Sequence, residues 1–368
     1  MTLAEIVSSL EALLNDQQNE QVYATFRSHF GDAHRSPVAC YLVGVALIRM
    51  GEFKLAVQYL EHSHLAGNAL QANTLLALID AHQGAGNRSS FLRYATLLHR
   101  ILPTNMSVFE KLQQARVRNG LDAIPRWIVI GDSHARYFRF MQINRDAFFE
   151  EKLFLDVVEL AGASAYGLGN INSRSGALAV VEKLKDRISV ADGVIINFGE
   201  IDCRRAAWKA AHDQGRAIED CLDESASHLR DFVKVMIRPF NKNIVVVGAK
   251  PQIIGDQDHY RNSLEDDRIV FQPLDVRQEK SIFFNQRLSQ YVKELDADFF
   301  SLDDMLKDEK NSHDLFSNCF WDEYSTDTHG NSSYFAEVYF NLLKRRLLYG
   351  RGNHGLSRGR VGRRTGKR

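Results

Sequence analysis

Apolar residues recur at three- and four-residue spacing from Leu3 to about Gly120, broken only by short turns bearing glycine or asparagine. That rhythm predicts consecutive amphipathic helices with no strand among them. After Pro125 it gives way to short apolar runs alternating with amphipathic stretches. The runs Trp127 to Ile130, Phe154 to Leu160, Gly193 to Phe198, Ile244 to Ala249 and Asp298 to Leu302 are predicted strands. Helices are expected near Ala135 to Asn144, Ser175 to Arg187, Asp223 to Phe240, Val276 to Leu295 and Ser332 to Leu348. β-Branched runs such as Val194-Ile195-Ile196 and Val245-Val246-Val247 suit parallel strands buried on both faces. The fold class expected here is α/β, a doubly wound parallel sheet preceded by an all-α domain. In such a sheet ligands bind beyond the carboxyl ends of the strands, where Ser133, Gly162, Gly199 and Lys250 would all fall.

Within the helical part, the clearest unit runs from Pro37 to Asn68. Its Gly44, Ala46, Gly51, Phe53, Ala56, Tyr59 and Leu60 stand where a tetratricopeptide repeat places its small and large residues, and the unit resembles that repeat. A weaker unit follows with Leu78, Gly86, Phe91, Ala95, Leu98 and Pro103. The segments Ile6 to Leu14 and Gln21 to Phe30 would form a degenerate first unit, and Met106 to Arg118 a capping helix. Such a small solenoid offers a surface for a protein partner or packs beside a catalytic domain. His62, His64, His82 and His99 read as solvated or partly buried helix positions without a role. The expected domains are therefore residues 1–120, helical repeats, and 125–350, the α/β domain.

Composition narrows the partners. The chain has 368 residues, 45% of them hydrophobic, with 46 basic against 46 acidic side chains, a balance that argues against nucleic acid or an anionic membrane as the partner of the whole molecule. One asymmetry stands out: residues 351–368 hold seven arginines and lysines, five glycines and no acidic residue, which predicts a basic tail without fixed structure. Cys40, Cys203, Cys221 and Cys319 form no CxxC pair, so neither a zinc site nor a disulfide framework is expected. No cofactor or metal is called for. The N-terminus lacks a signal-peptide pattern and no segment has the length to span a bilayer, so a cytoplasmic protein is the expectation.

The chemistry is concentrated at Trp127-Ile128-Val129-Ile130-Gly131-Asp132-Ser133-His134-Ala135, where an apolar run stops at a glycine and presents a serine. As plain local structure, Asp132 or Ser133 would cap the following helix. As chemistry, Ser133 is a candidate nucleophile, and a hydroxyl nucleophile needs a histidine base oriented by a carboxylate. Asp327-Thr328-His329 supplies both residue types near the other end of the domain.

Four short blocks in this order resemble the SGNH (GDSL-type) hydrolases, serine esterases and acyltransferases on a flavodoxin-like sheet. Gly131-Asp132-Ser133-His134 matches the first block, with histidine in place of leucine, and implies Ser133 as nucleophile. Gly162, just after the second strand, matches the second block and would donate its N–H to the oxyanion, with Gly167 as a rival. Asn197-Phe198-Gly199-Glu200-Ile201-Asp202-Cys203-Arg204 stands at the third block. It keeps Gly199 and Asp202 but has Ile201 where the family places an oxyanion asparagine, a loss that typically costs about 100- to 1000-fold in turnover. Asp327 and His329 match the last block with the aspartate two residues before the histidine instead of three, so Asp322 or Glu323 would be alternative orienting groups. His329 could instead cap the helix starting near Ser332.

The resemblance implies acyl-ester hydrolysis or acyl transfer, with Ser133, His329 and Asp327 as triad and the N–H groups of Ser133 and Gly162 as oxyanion hole. O-acyl groups of a carbohydrate or small molecule are the implied substrates. Asp132, His134, Gly199, Glu200, Asp202 and Arg204 are candidate pocket residues, and Arg204 could bind a carboxylate, a phosphate or the oxyanion. Asp202 and Arg204 would otherwise form a structural ion pair, and His134 would hydrogen-bond the neighbouring loop. Two alternatives remain open. One is a catalytically degenerate scaffold whose helical repeats bind a protein. The other is a metal-dependent phosphoesterase, suggested by the Asp-x-His spacing of Asp132 and His134, by Gly199 to Arg204 and by Gly352-Asn353-His354.

Overall fold

The computed structural model describes residues 1–67, 70–144, 148, 152–170, 173, 176–253, 256–265, 270–303 and 332–349. Asp322, Glu323, Asp327, His329 and the basic segment 351–368 lie outside the described residues. Contacts divide the chain into two compact units, Met1–Ala123 and Ile124–Arg368.

The first unit is helical: α1 (Leu3–Asn15), α2 (Asn19–Ser28), the single turn α3 (Phe30–Ala33), α4 (Pro37–Arg49), α5 (Phe53–Leu65), α6 (Gln71–Gly84), α7 (Arg88–Ile101) and α8 (Met106–Arg118). Local chemistry sets the starts. Thr2 and Glu5 exchange bonds in a capping box, the Thr2 N–H donating to Glu5 Oε2 at 2.7 Å and the Glu5 N–H to Thr2 Oγ1 at 3.3 Å. Ser36 caps α4 ahead of Pro37, whose missing N–H costs nothing in a first turn. From α4 onward each helix packs on the next. The contact of α4 with α5 is close because Gly44 has no side chain: a Cβ there would stand 2.5 Å from Leu60 Cγ. His82 and His99 correct the expectation of solvated or partly buried positions, since both are buried, His82 against the Tyr94 ring and His99 near Phe109.

The second unit is built on five parallel strands: β1 (Arg126–Gly131), β2 (Phe154–Glu159), β3 (Gly193–Asn197), β4 (Asn243–Val247) and β5 (Asp298–Phe300), in the order β2-β1-β3-β4-β5. The intervening helices are α9 (Arg136–Ile143), α10 (Ala177–Glu182), α11 (Lys185–Ser189), α12 (Ala207–Gln214), α13 (Ile218–Phe232), α14 (Asp256–Glu265), α15 (Leu274–Lys293) and α16 (Ser332–Tyr349). Strand periodicity splits the core into two layers. Ile128, Ile130, Val194, Ile196, Ile244 and Val246 face residues of α10, α11, α13 and α15. Trp127, Val129, Ile195, Val245 and Val247 face α9 and α16, through Phe138, Met141, Phe335, Tyr339 and Leu343. With both faces covered, the runs are apolar throughout, as parallel strands require.

Two of the expected helices are modified. In place of the single helix expected over Ser175 to Arg187 stand two short ones, Ala177–Glu182 and Lys185–Ser189, because Lys183 and Leu184 bond back three residues to Val180 and Val181 and so tighten the turn. The Asp223 to Phe240 helix begins at Ile218 and, after Phe232, relaxes into a π turn over Val233–Ile237 and a 3₁₀ turn around Pro239, which has no N–H to continue it. Helices α12 and α14 were not expected. Among the described residues, no helix is long and apolar enough to cross a membrane.

Candidate active site

The strand order reverses at β1: β2 lies on one side of it and β3 on the other, so a crevice opens beyond their carboxyl ends. The register brings Gly131 level with Glu159 and Asn197. Gly131 is required by close approach, because a Cβ on it would stand 2.4 Å from the Asn197 carbonyl oxygen. Beyond it the Asp132 N–H extends the ladder by donating to Asn197 O at 3.0 Å, and Ser133–Ala135 then form a 3₁₀ turn leading into α9. Asp132 is the cap of this turn. Its Oδ1 accepts the His134 N–H at 2.8 Å, so the local reading of Asp132 and the exposure of a serine beside it are parts of one geometry. Ser133 is half-buried, whereas its neighbours Asp132 and His134 are buried.

Gly162 sits in the adjoining turn. The Leu160 N–H extends the ladder by donating to Gly131 O at 2.7 Å, and the Ala163 N–H closes on Leu160 O at 3.0 Å, leaving Gly162 at a φ of 76°. Among the described residues, no backbone carbonyl accepts from the N–H of Ser133 or of Gly162. Two backbone donors at neighbouring strand ends are thus available to a ligand oxygen.

The charged groups form a buried chain. His134 Nδ1 lies 3.0 Å from Asp132 Oδ1 and 3.7 Å from Glu200 Oε2, and Arg204 Nε donates to Glu200 Oε1 at 3.1 Å. His134 thus bonds the Asp132 carboxylate, two residues back in the loop that follows β1. Burial pushes the Glu200 carboxyl up, but the charges of Arg204, His134 and Lys250 outweigh it and hold the group at about 2. Arg204 pairs with Glu200, four residues back on a helical turn, and not with Asp202. That corrects the expected Asp202 to Arg204 bridge.

Asp202 instead reaches across to the loop that follows Gly162: Oδ2 accepts from the Ala165 N–H at 2.7 Å and Oδ1 from the Tyr166 N–H at 2.9 Å. Burial raises its carboxyl to about 6 even though these two N–H groups favour the charged form. Its function is to brace that loop. Gly199 is also structural, at a φ of 115° with Phe284 against its α-carbon. Asp202–Ala206 form a π turn, a geometry common at functional sites, and the Trp208 indole N–H donates to the Cys203 carbonyl at 2.8 Å.

Lys250 is buried at the end of β4, 5.4 Å from the centre of the Phe335 ring. The turn that carries it is held by Asn285, which accepts from the Ala249 N–H at 2.8 Å and donates to the Ala249 carbonyl at 2.9 Å. His259 on α14 and Arg277 on α15 were missed by sequence reasoning, both being buried polar groups on helices whose composition reads as solvated. Of the expected site residues, Asp132, Ser133, His134, Glu200 and Arg204 come together, and Gly162 stands beside Ser133 at the next strand end. His329 and Asp327 lie outside the described residues. Among the described residues, no group of three or more His, Cys, Asp or Glu side chains is placed to hold a metal ion. In comparisons with known proteins, no family model matches the chain and no curated protein is significantly similar to it.

Proposed function

We propose that the second unit is an SGNH-type serine esterase or acyltransferase and that the first is a tetratricopeptide-like module that docks a protein partner. The observation that carries this reading is the position of Ser133, half-buried on a 3₁₀ turn at the switch point of a parallel sheet, with the Ser133 and Gly162 N–H groups, to which no backbone carbonyl among the described residues is bonded, nearby. Ser133 Oγ attacks the ester carbonyl, and His329, oriented by Asp327, takes the hydroxyl proton and returns it to the leaving alcohol. The tetrahedral oxyanion is held by the two N–H groups. Water or an acceptor hydroxyl then releases the acyl group. O-acyl groups of a carbohydrate are the proposed substrate class.

Turnover of a panel of 4-nitrophenyl acyl esters tests this. Wild-type protein releases nitrophenolate and Ser133→Ala does not; equal rates in the two would remove Ser133 from the mechanism. A second reading is favoured by Ile201, a buried hydrocarbon side chain at the position where the resemblance places an oxyanion asparagine. On that reading the α/β unit is a scaffold and the helical unit is the functional part. Binding of a partner by residues 1–120, together with no ester turnover by the full chain, would support it.

A further inference from the structure

In the first unit, where the turn from α6 to α7 meets the end of α8, lies a pocket of about 210 Å³ with His82, Asn87, Arg88, Phe91 and Arg118 in its wall. No acidic residue lines it. Among the described residues neither arginine forms an ion pair: Arg88 Nη1 donates to the Arg118 carbonyl at 3.5 Å, and the Arg118 guanidinium lies over the Phe91 ring, 5.7 Å from its centre. A guanidinium held by a ring face keeps its N–H edges for another acceptor, and those edges match the oxygens of an oxyanion. Helix α7 also opens here, with Asn87 as its cap and no acidic residue in its first turn, so the positive end of a 14-residue helix adds to the field.

A second observation lies in the wall itself. His82 is 3% exposed and its ring stacks on Tyr94, with centres 5.2 Å apart. Nε2 faces Glu61 Oε1 at 3.6 Å, whereas Nδ1 has no hydrogen-bond partner among the described residues. Buried polar atoms without partners are rare in folded proteins and call for a water or ligand to meet them. Burial lowers the pKa of this imidazole more than the Glu61 carboxylate raises it, so the ring is neutral at pH 7 and, when Nε2–H points at Glu61, presents a lone pair at Nδ1. A phosphate group has its second ionisation at about 6 and so offers both P–OH and P–O⁻ near neutrality. It can meet Nδ1 whether the ring accepts or, once protonated, donates; a carboxylate, ionised above about 4, carries no such donor.

We propose that this pocket of the helical unit binds a phosphate monoester, with the Arg88 and Arg118 guanidinium groups and the start of α7 taking its charged oxygens and His82 Nδ1 meeting the remaining one. Two guanidinium charges and a helix N-terminus balance a dianion better than a monoanion. The site belongs to the first unit alone and needs no chemistry at Ser133.

Isothermal titration calorimetry on the full chain at pH 7 and fixed ionic strength, with inorganic phosphate and acetate as probes, tests it. Phosphate is expected to bind at least tenfold more tightly than acetate. Arg88 and Arg118 are both exposed, so the double variant Arg88→Gln/Arg118→Gln keeps its fold, which circular dichroism checks, and weakens phosphate binding at least tenfold. In NMR spectra of the histidine rings, the His82 signals move when phosphate is added and stay in place with acetate. N-acetyl-O-phosphoserine amide and glucose 6-phosphate, titrated beside them, each support the site by binding more tightly than acetate, and the tighter of the two distinguishes a phosphorylated side chain of a partner from the phosphate of a small molecule. Phosphate that binds no better than acetate, wild-type affinity in the folded double variant, or His82 signals unmoved at saturating phosphate would overturn the proposal.

Discussion

Glu200→Gln is the perturbation that probes the buried charge chain most cleanly. The carboxyl is held at about 2 in the folded protein against 4.5 as its ordinary value, because Arg204, His134 and Lys250 favour the charged form more than burial opposes it. A gap of that size corresponds to about 3 kcal/mol of folding stability. Removing one member of a buried ion pair independently costs about 3 to 5 kcal/mol, since Arg204 is left without its counter-charge. The two routes agree on roughly 3 kcal/mol, or a fall in melting temperature of about 6 to 12 °C for a unit of this size.

The pH dependence follows from the direction of the shift. With the folded pKa below the unfolded one, the unfolded chain binds more protons between the two values, so the contribution is complete above about 4.5 and is lost as pH falls toward 2. Roughly half of it has gone by pH 3. Urea unfolding followed by tryptophan fluorescence reports on the right unit, because Trp127, Trp208 and Trp321 all lie beyond residue 124. The variant should trail wild type by about 3 kcal/mol at pH 7 and converge on it below pH 4. Equal midpoints at pH 7, or a gap that persists unchanged at pH 3, would refute the reasoning.

Two other outcomes follow from the site. Asp202→Ala leaves the Ala165 and Tyr166 N–H groups without their carboxylate, which costs about 3 kcal/mol and slows acylation by loosening the loop after Gly162; an unchanged urea midpoint contradicts the bracing role. His259 titrates in NMR with a midpoint of about 4, because burial and the charges of Arg277 and Arg204 disfavour imidazolium. Its folded pKa lies below that of free histidine, so its contribution to stability is complete above about pH 6.5 and lost as pH falls toward 4. His259→Gln should flatten the acid loss in that window, which lies above the one governed by Glu200, and a His259 midpoint near 6.5 would be inconsistent with this placement.

The strands were legible because Val194-Ile195-Ile196 and Val245-Val246-Val247 are apolar on both faces, a pattern that only a covered parallel sheet explains. The turn at Gly131-Asp132-Ser133 was legible for a similar reason, as an abrupt stop in such a run. The charge chain was not. Glu200 and Arg204 lie four residues apart, a helical spacing, in a stretch expected to be a strand-end loop, and the helical turn there is what pairs them. Asp202 binds backbone 36 and 37 residues away, a contact set by tertiary packing alone. His259 and Arg277 sit in polar helical sequence, and their burial depends on what packs against them. His82 and His99 were misjudged on the same ground: each lies on a helix face whose neighbours decide its exposure.

Mass mapping of a fluorophosphonate adduct tests the central claim most directly, because the probe reacts only with an activated serine. Wild-type protein treated with the probe and digested should carry the adduct on the peptide containing Ser133, and Ser133→Ala should carry none. Absence of labelling in folded wild-type protein, or an adduct that survives in Ser133→Ala, would contradict the account.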